Sequence, residues 1–103
     1  MNYKTIVNAI NSAEKYPHLI SVGIFGSYAR GEANESSDLD IIFEYDHSND
    51  DYLENIEDFM EDIEKQIPVK VDYVTLNSLQ VGEPDYFTEN VLREVKWIYS
   101  TKF

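Results

Sequence analysis

The sequence predicts an α+β fold, and three observations carry that prediction. Strand-length runs rich in β-branched and aromatic residues, LISVGIF (Leu19–Phe25), DLDIIFEY (residues 38–45) and VKVDYVTL (residues 69–76), alternate with stretches of helical periodicity. Gly, Pro, Asn and Ser mark the junctions between them. The length of 103 residues suits one core, expected to span 1–103 as a single domain and to bury roughly 60–70% of the surface its unfolded form exposes. An apolar fraction of 43% and an aromatic fraction of 14% are those of a globular chain, not of a disordered acidic one.

Taken in order, Tyr3, Ile6, Val7 and Ile10 recur at helical spacing and the pattern stops before Pro17, which predicts an amphipathic helix covering one face of a sheet. The run Leu19–Phe25 then reads as a buried strand ending at Gly26. A short helical turn is expected over residues 27–29, followed by a loop through GEANESS. In the second strand Leu39, Ile41 and Phe43 point to one face, and Asp38, Asp40, Ile42 and Glu44 to the other. Residues 50–67 form a helix with Leu53, Ile56, Phe59, Met60, Ile63 and Ile67 on one stripe and acidic residues crowding its first turn, where they suit the helix dipole. After Pro68 the third strand alternates Val69, Val71 and Tyr73 against Lys70, Asp72 and Val74, so a third aspartate lies mid-strand. One more helix is expected, with Pro84 near its start and Phe87, Val91 and Leu92 on its apolar side, then a short strand around Trp97 to Tyr99. The aromatic tail of Trp97, Tyr99 and Phe103 is expected to pack on the core.

Charge and composition restrict the chemistry. The chain has 20 Asp and Glu against 8 Lys and Arg, a formal net charge of −12, which repels phosphate backbones and disfavours a long nucleic-acid partner. With 0 Cys there is no disulfide framework, zinc–thiolate site or thiol nucleophile, and the residue set leans towards oxygen-ligated metals. No stretch resembles a signal peptide or approaches the ~20 apolar residues of a membrane span, so a soluble, cytoplasmic protein without membrane partners is expected.

The stretch GSYARGEANESSDLD, residues 26–40, concentrates the remaining signal. Two carboxylates at i and i+2 of a strand project side by side, about 6.5–7 Å apart at Cα, from where their oxygens can converge on a hard divalent cation. On their own Asp38 and Asp40 read more readily as ordinary polar residues at a strand end, since short DxD patterns are common in acidic chains. The Gly26–Ser27 turn adds the complement: backbone N–H groups, a hydroxyl donor and a glycine that lets phosphate approach closely. A phosphate cradle beside a metal-binding pair is what a nucleoside triphosphate with bound magnesium requires. No G-x-x-x-x-G-K-[ST] segment is present, which disfavours a P-loop enzyme. Ser36 and Ser37 read as loop-capping hydroxyls, and His18 and His47 as exposed or singly hydrogen-bonded residues.

A hydrophobic residue, Gly26-Ser27, a ten-residue gap and then Asp38-Leu39-Asp40-Ile41 together resemble the signature of the DNA polymerase β-like nucleotidyltransferase superfamily. Within it, GSYARGEANESSDLDIIF resembles the minimal nucleotidyltransferases (MNT), the antitoxin partners of HEPN-domain toxins. The resemblance implies a small mixed β-sheet flanked by α-helices, ATP as donor, magnesium as cofactor, as two ions, and a third carboxylate on a later strand, the slot filled by Asp72. It implies Asp38, Asp40 and Asp72 as catalytic metal ligands, with Asp72 also helping to deprotonate the acceptor. Asp72 can equally be a paired surface residue. Gly26 and Ser27 match the triphosphate-binding positions and Arg30 the family's ARG segment, where it either meets phosphate or fixes the loop by pairing with an acid such as Glu32.

Relatives acting on RNA or aminoglycosides carry further domains to hold the acceptor, so half of the acceptor site is expected to come from a partner. The expected activity is transfer of AMP to a hydroxyl, a tyrosine, of a cognate HEPN-domain RNase toxin, which forms a hetero-oligomer with this chain. Two rivals remain: an antitoxin that only masks the toxin, its acidic face imitating RNA, and a nucleotidyltransferase of a small molecule acting as a dimer.

Overall fold

The computed structural model describes residues 1–81, 83 and 85–102. Helix α1 (Tyr3–Ile10) starts at Asn2, whose side chain accepts a hydrogen bond from the Thr5 amide at 2.9 Å, and tightens into a 3-10 turn, Asn11–Lys15, ahead of Pro17. Strand β1 (Leu19–Phe25), helix α2 (Gly26–Arg30), strand β2 (Leu39–Tyr45), helix α3 (Tyr52–Gln66), strand β3 (Val71–Thr75), helices α4 (Leu76–Leu79) and α5 (Tyr86–Glu94) and strand β4 (Lys96–Ser100) follow.

The four strands form one mixed sheet in the order β3-β2-β1-β4. β1 runs antiparallel to β2 and β4, and β3 runs parallel to β2. A parallel neighbour cannot be reached by a tight turn, and α3 supplies the crossover.

Strand alternation divides the core between the two sheet faces. Val22 and Ile24 of β1 and Leu39, Ile41 and Phe43 of β2 pack with Ile6 and Ile10 of α1 and Phe59 and Ile63 of α3. On the other face Phe25 and Ile42 meet Val91 of α5, with Val95 and Trp97 against them. Covering both faces with helices leaves the strand ends, not the strand faces, for chemistry.

The core prediction holds for Ile56, Phe59 and Ile63, while Leu53 is 58% exposed because it sits on the solvent side of the first turn of α3. Only Glu54 of the acidic residues lies within that turn, since Asp50 and Asp51 precede the helix. The third strand stops at Thr75, whose hydroxyl accepts from the Ser78 amide at 3.1 Å and starts α4, a helix the sequence pattern did not indicate. Asp72 is therefore near the beginning of β3 and not at its middle. In α5, Val91 is buried, whereas Phe87 and Leu92 remain about half exposed; Phe87 touches Phe25 edge-on. Asp85 caps α5 by accepting from the Thr88 amide at 2.8 Å, and this bond holds its carboxyl below the ordinary range.

His18 is buried and paired with Asp51 at 3.0 Å, which retains the single partner expected of it but not the exposure. Trp97 and Tyr99 pack against the core as expected; Pro84 and Phe103 lie outside the described residues. Among the described residues no helix is long and apolar enough to cross a membrane.

Candidate active site

β1 delivers its last residue, Phe25, opposite Asp40 in the antiparallel ladder, so the turn that follows β1 lies against the start of β2. Gly26 there adopts φ +73°, a conformation that an L side chain rarely accepts. A Cβ on Gly26 would collide with Oδ2 of Asp40, so the carboxylate rests on the bare backbone of the turn. Close packing of that kind requires glycine for two independent reasons.

β2 and β3 place Asp40 and Asp72 directly opposite each other in the parallel ladder. The ladder opens with the Leu39 amide donating to the Lys70 carbonyl at 2.9 Å, which holds Asp38 at the mouth of β2. The Lys70 ammonium reaches between the carboxylates, 3.6 Å from Oδ1 of Asp72 and 4.0 Å from Oδ2 of Asp38. Both aspartates stay open to solvent, with side chains 42% and 48% exposed, so these pairs add little to stability. Asp40 is more enclosed: burial, followed by the charges of Asp72 and Asp38, raises its carboxyl above the ordinary value, and Arg30 partly offsets this.

Three hard oxygen donors of one charge sign, already attracting an ammonium, fit a hard divalent cation such as magnesium. Among the described residues no three ligating side chains yet converge on one point, so Asp38 and Asp72 would have to turn from Lys70 to take up a metal.

α2 is short, Gly26–Arg30, and ends at Gly31 in the left-handed conformation (φ 74°), which turns the chain into the polar loop. In that loop the Asn34 side chain accepts from the amide and hydroxyl of Ser36, and the Ser37 hydroxyl accepts from the Asn34 amide, all at 2.9 Å. The two serines thus shape the loop, as their sequence context indicates. Ser27 lies half-buried in α2, beside Gly26. Arg30 donates from Nε to Glu32 at 3.0 Å and from Nη1 to Oε2 of Glu94 at 2.9 Å.

Glu94 was not legible as a site residue. It is the last residue of α5, and its Oε1 also accepts from the Gly26 amide at 3.1 Å. One signal was available: an acid at a helix C-terminus faces the negative end of the helix dipole and needs a compensating partner.

The structure thus brings Gly26, Asp40 and Asp72 together directly, ties Asp38 to them through Lys70, and ties Arg30 to Gly26 through Glu94. The carboxylates stand on an open surface. A concavity of about 500 Å³ lined by Pro17, His18, Asp46, Asn49, Asp50 and Asp51 is at the other end of β2 and shares none of these residues.

The profile of the nucleotidyltransferase domain family matches residues 4–98. A Methanocaldococcus jannaschii protein named as a candidate protein adenylyltransferase, MJ1215, is 48% identical over 61 residues, 57% of this chain and 66% of its own length. Protein adenylyltransferase MntA of Thermococcus cleftensis is 39% identical over 77 residues, 75% of this chain and 72% of its length. Among solved structures, a candidate minimal nucleotidyltransferase superposes with a TM-score of 0.70 at 30% identity over 93% of this chain and 95% of that one. A complex of a tri-AMPylated Shewanella oneidensis HEPN toxin with its MNT antitoxin shares the fold, with a TM-score of 0.55 at 20% identity over 92% of this chain and 72% of the other.

Proposed function

The chain belongs to the nucleotidyltransferase domain family, and from that premise we propose that it transfers AMP from ATP to a tyrosine hydroxyl of a HEPN-domain RNase and silences that toxin. The observation that carries this reading is the position of Asp40, which touches the Gly26 turn on one side and is the register partner of Asp72 on the other. One residue thereby links a phosphate-facing backbone to a set of metal-binding carboxylates. Names of relatives support the same chemistry, since both the M. jannaschii and T. cleftensis proteins are described as protein adenylyltransferases.

In this reading Gly26 and Ser27 hold the triphosphate through an amide and a hydroxyl, and Arg30 contributes a guanidinium. Asp38, Asp40 and Asp72 would hold magnesium, which supplies charge neutralisation of the triphosphate and a more acidic acceptor hydroxyl. Asp72, whose side chain is 48% exposed, would take the phenolic proton of the acceptor. The tyrosine oxygen forms a bond to the α-phosphorus as the bond from that phosphorus to the oxygen bridging to the β-phosphate breaks. Pyrophosphate leaves with the bridging oxygen. Tyrosine suits the step because its pKa near 10 makes deprotonation easier than for serine.

Exposure of Asp38 and Asp72 on an open surface supports a protein acceptor, because a partner must supply the wall that excludes water. Intact-mass spectrometry of the toxin after incubation with this protein, magnesium and ATP tests the proposal. The expected result is one or more added AMP groups together with lost RNase activity. The net charge of −12 favours a second reading, masking of a basic RNA-binding face by contact alone. An unmodified toxin inhibited only while bound would establish that reading instead.

A further inference from the structure

Glu94 stands where the proposed nucleotide would bind. Its two carboxylate oxygens take the Gly26 amide, at 3.1 Å, and Nη1 of Arg30, at 2.9 Å. These are two of the donors that the preceding reading gives to the triphosphate. We infer that Glu94 is an affinity-setting residue of the site, an internal anion that occupies the phosphate donors in the free protein and is displaced by the incoming nucleotide; the inference rests on that reading of the site.

The surroundings of Glu94 explain why it stays and why it can leave. As the last residue of α5 it lies at the end of the helix where the backbone dipole repels an anion. Its charge also adds to those that disfavour ionised Asp40, after burial, Asp72 and Asp38. Against these repulsions it has the two bonds to Gly26 and Arg30, the second an ion pair whose guanidinium is also held by Glu32. A phosphate that takes both donors removes what attracts Glu94 and leaves what repels it. With its side chain 25% exposed, the carboxylate borders solvent and has room to swing away.

The contact has a use in a chain of net charge −12. Without it, an amide and a guanidinium would face solvent beside a carboxylate cluster, and Arg30 would be free to pair with Asp40 in place of nucleotide. Glu94 keeps Arg30 directed at the turn. It also lowers apparent affinity, because only the fraction of molecules with Glu94 withdrawn presents a vacant cradle.

The test is titration of a non-hydrolysable ATP analogue with magnesium into the wild type, Glu94→Gln, Glu94→Ala, Arg30→Ala and the Arg30→Ala/Glu94→Gln pair. Ligand-free melting curves confirm that each variant is folded. Glu94→Gln and Glu94→Ala are expected to bind about three- to tenfold tighter than the wild type, the range for removing a competitor held by one or two hydrogen bonds. In the Arg30→Ala background the gain from Glu94→Gln should shrink, since the two residues act through one ion pair. Unchanged or weaker binding in both single Glu94 variants overturns the displacement role. A full gain that persists without Arg30 overturns it too, leaving only general repulsion. Wild-type protein that binds no analogue, or binding indifferent to Arg30→Ala, overturns the reading of the site and this inference with it, a result distinct from failure of the Glu94 variants alone.

Discussion

Gly26 and Asp40 interlock: the left-handed Gly26 backbone, at φ +73°, leaves no room for a Cβ beside Oδ2 of Asp40. Gly26→Ala is therefore expected to abolish transfer by displacing the carboxylate and the turn together. Ser27→Ala removes one hydroxyl and should weaken ATP binding by about 0.5–1.5 kcal/mol. ATP titration into both variants checks the order, and a Gly26→Ala protein with wild-type affinity and turnover would contradict the cradle.

The three aspartates should separate by role. Asp38→Ala and Asp40→Ala are expected to eliminate magnesium-dependent transfer while the protein stays folded, because these side chains lie at the start of β2 and outside the core. Asp72→Asn should keep ATP binding and slow turnover at saturation by ~10²-fold or more, the scale of a lost general base. Single-turnover kinetics with the toxin distinguish the two patterns. A collapse of ATP affinity with unchanged turnover in Asp72→Asn would remove Asp72 from proton transfer.

Asp40 should cost the free protein stability. Burial, then Asp72 and Asp38, raise its folded-state pKa above the unfolded value, so the folded form binds the proton more tightly than the unfolded chain does. The stabilisation from a proton on Asp40 is fully present below the unfolded pKa of about 3.8 and is lost as pH rises through the raised folded value. Asp40→Asn, neutral at every pH, should thus melt higher than the wild type at pH 7 in metal-free buffer, with the difference fading on acidification. Melting curves from pH 3.5 to 7 decide it, and a difference that grows as pH falls would refute the assignment.

The sheet and its two central strands were legible because each signal is local. Leu39, Ile41 and Phe43 against Ile42 read out the two faces of β2 correctly, and Leu19–Phe25 matches β1 residue for residue. α4 escaped because its cause is a single hydroxyl, that of Thr75, within a run that is otherwise strand-like. Leu53 misled because helical spacing places a residue on a stripe without saying how far the stripe's contacts extend. At the site, the proximity of Gly26 and Asp40 follows from one hairpin and could be read from spacing. The contacts of Glu94 with Gly26 and Arg30 depend on where α5 docks, which no local pattern encodes. Lys70 was visible in the alternation of β3, but its position between Asp38 and Asp72 depends on the parallel register of β3 with β2.

The unequal connections of the sheet have a temporal consequence. β1 and β2 are joined through α2 and one loop, whereas β3 meets β2 only after the α3 crossover and then occupies an edge. Contacts close in sequence close quickly, and a distant parallel strand waits for the intervening chain. On the ribosome, the hairpin bearing Gly26 and Asp40 leaves the exit tunnel ahead of β3 and can begin to pair while Asp72 is still enclosed. A nascent chain can thus form the Gly26–Asp40 half of the site before Asp72 is free to join it. Docking of β3, which sets Asp72 opposite Asp40, is then the last step in assembling the proposed carboxylate set.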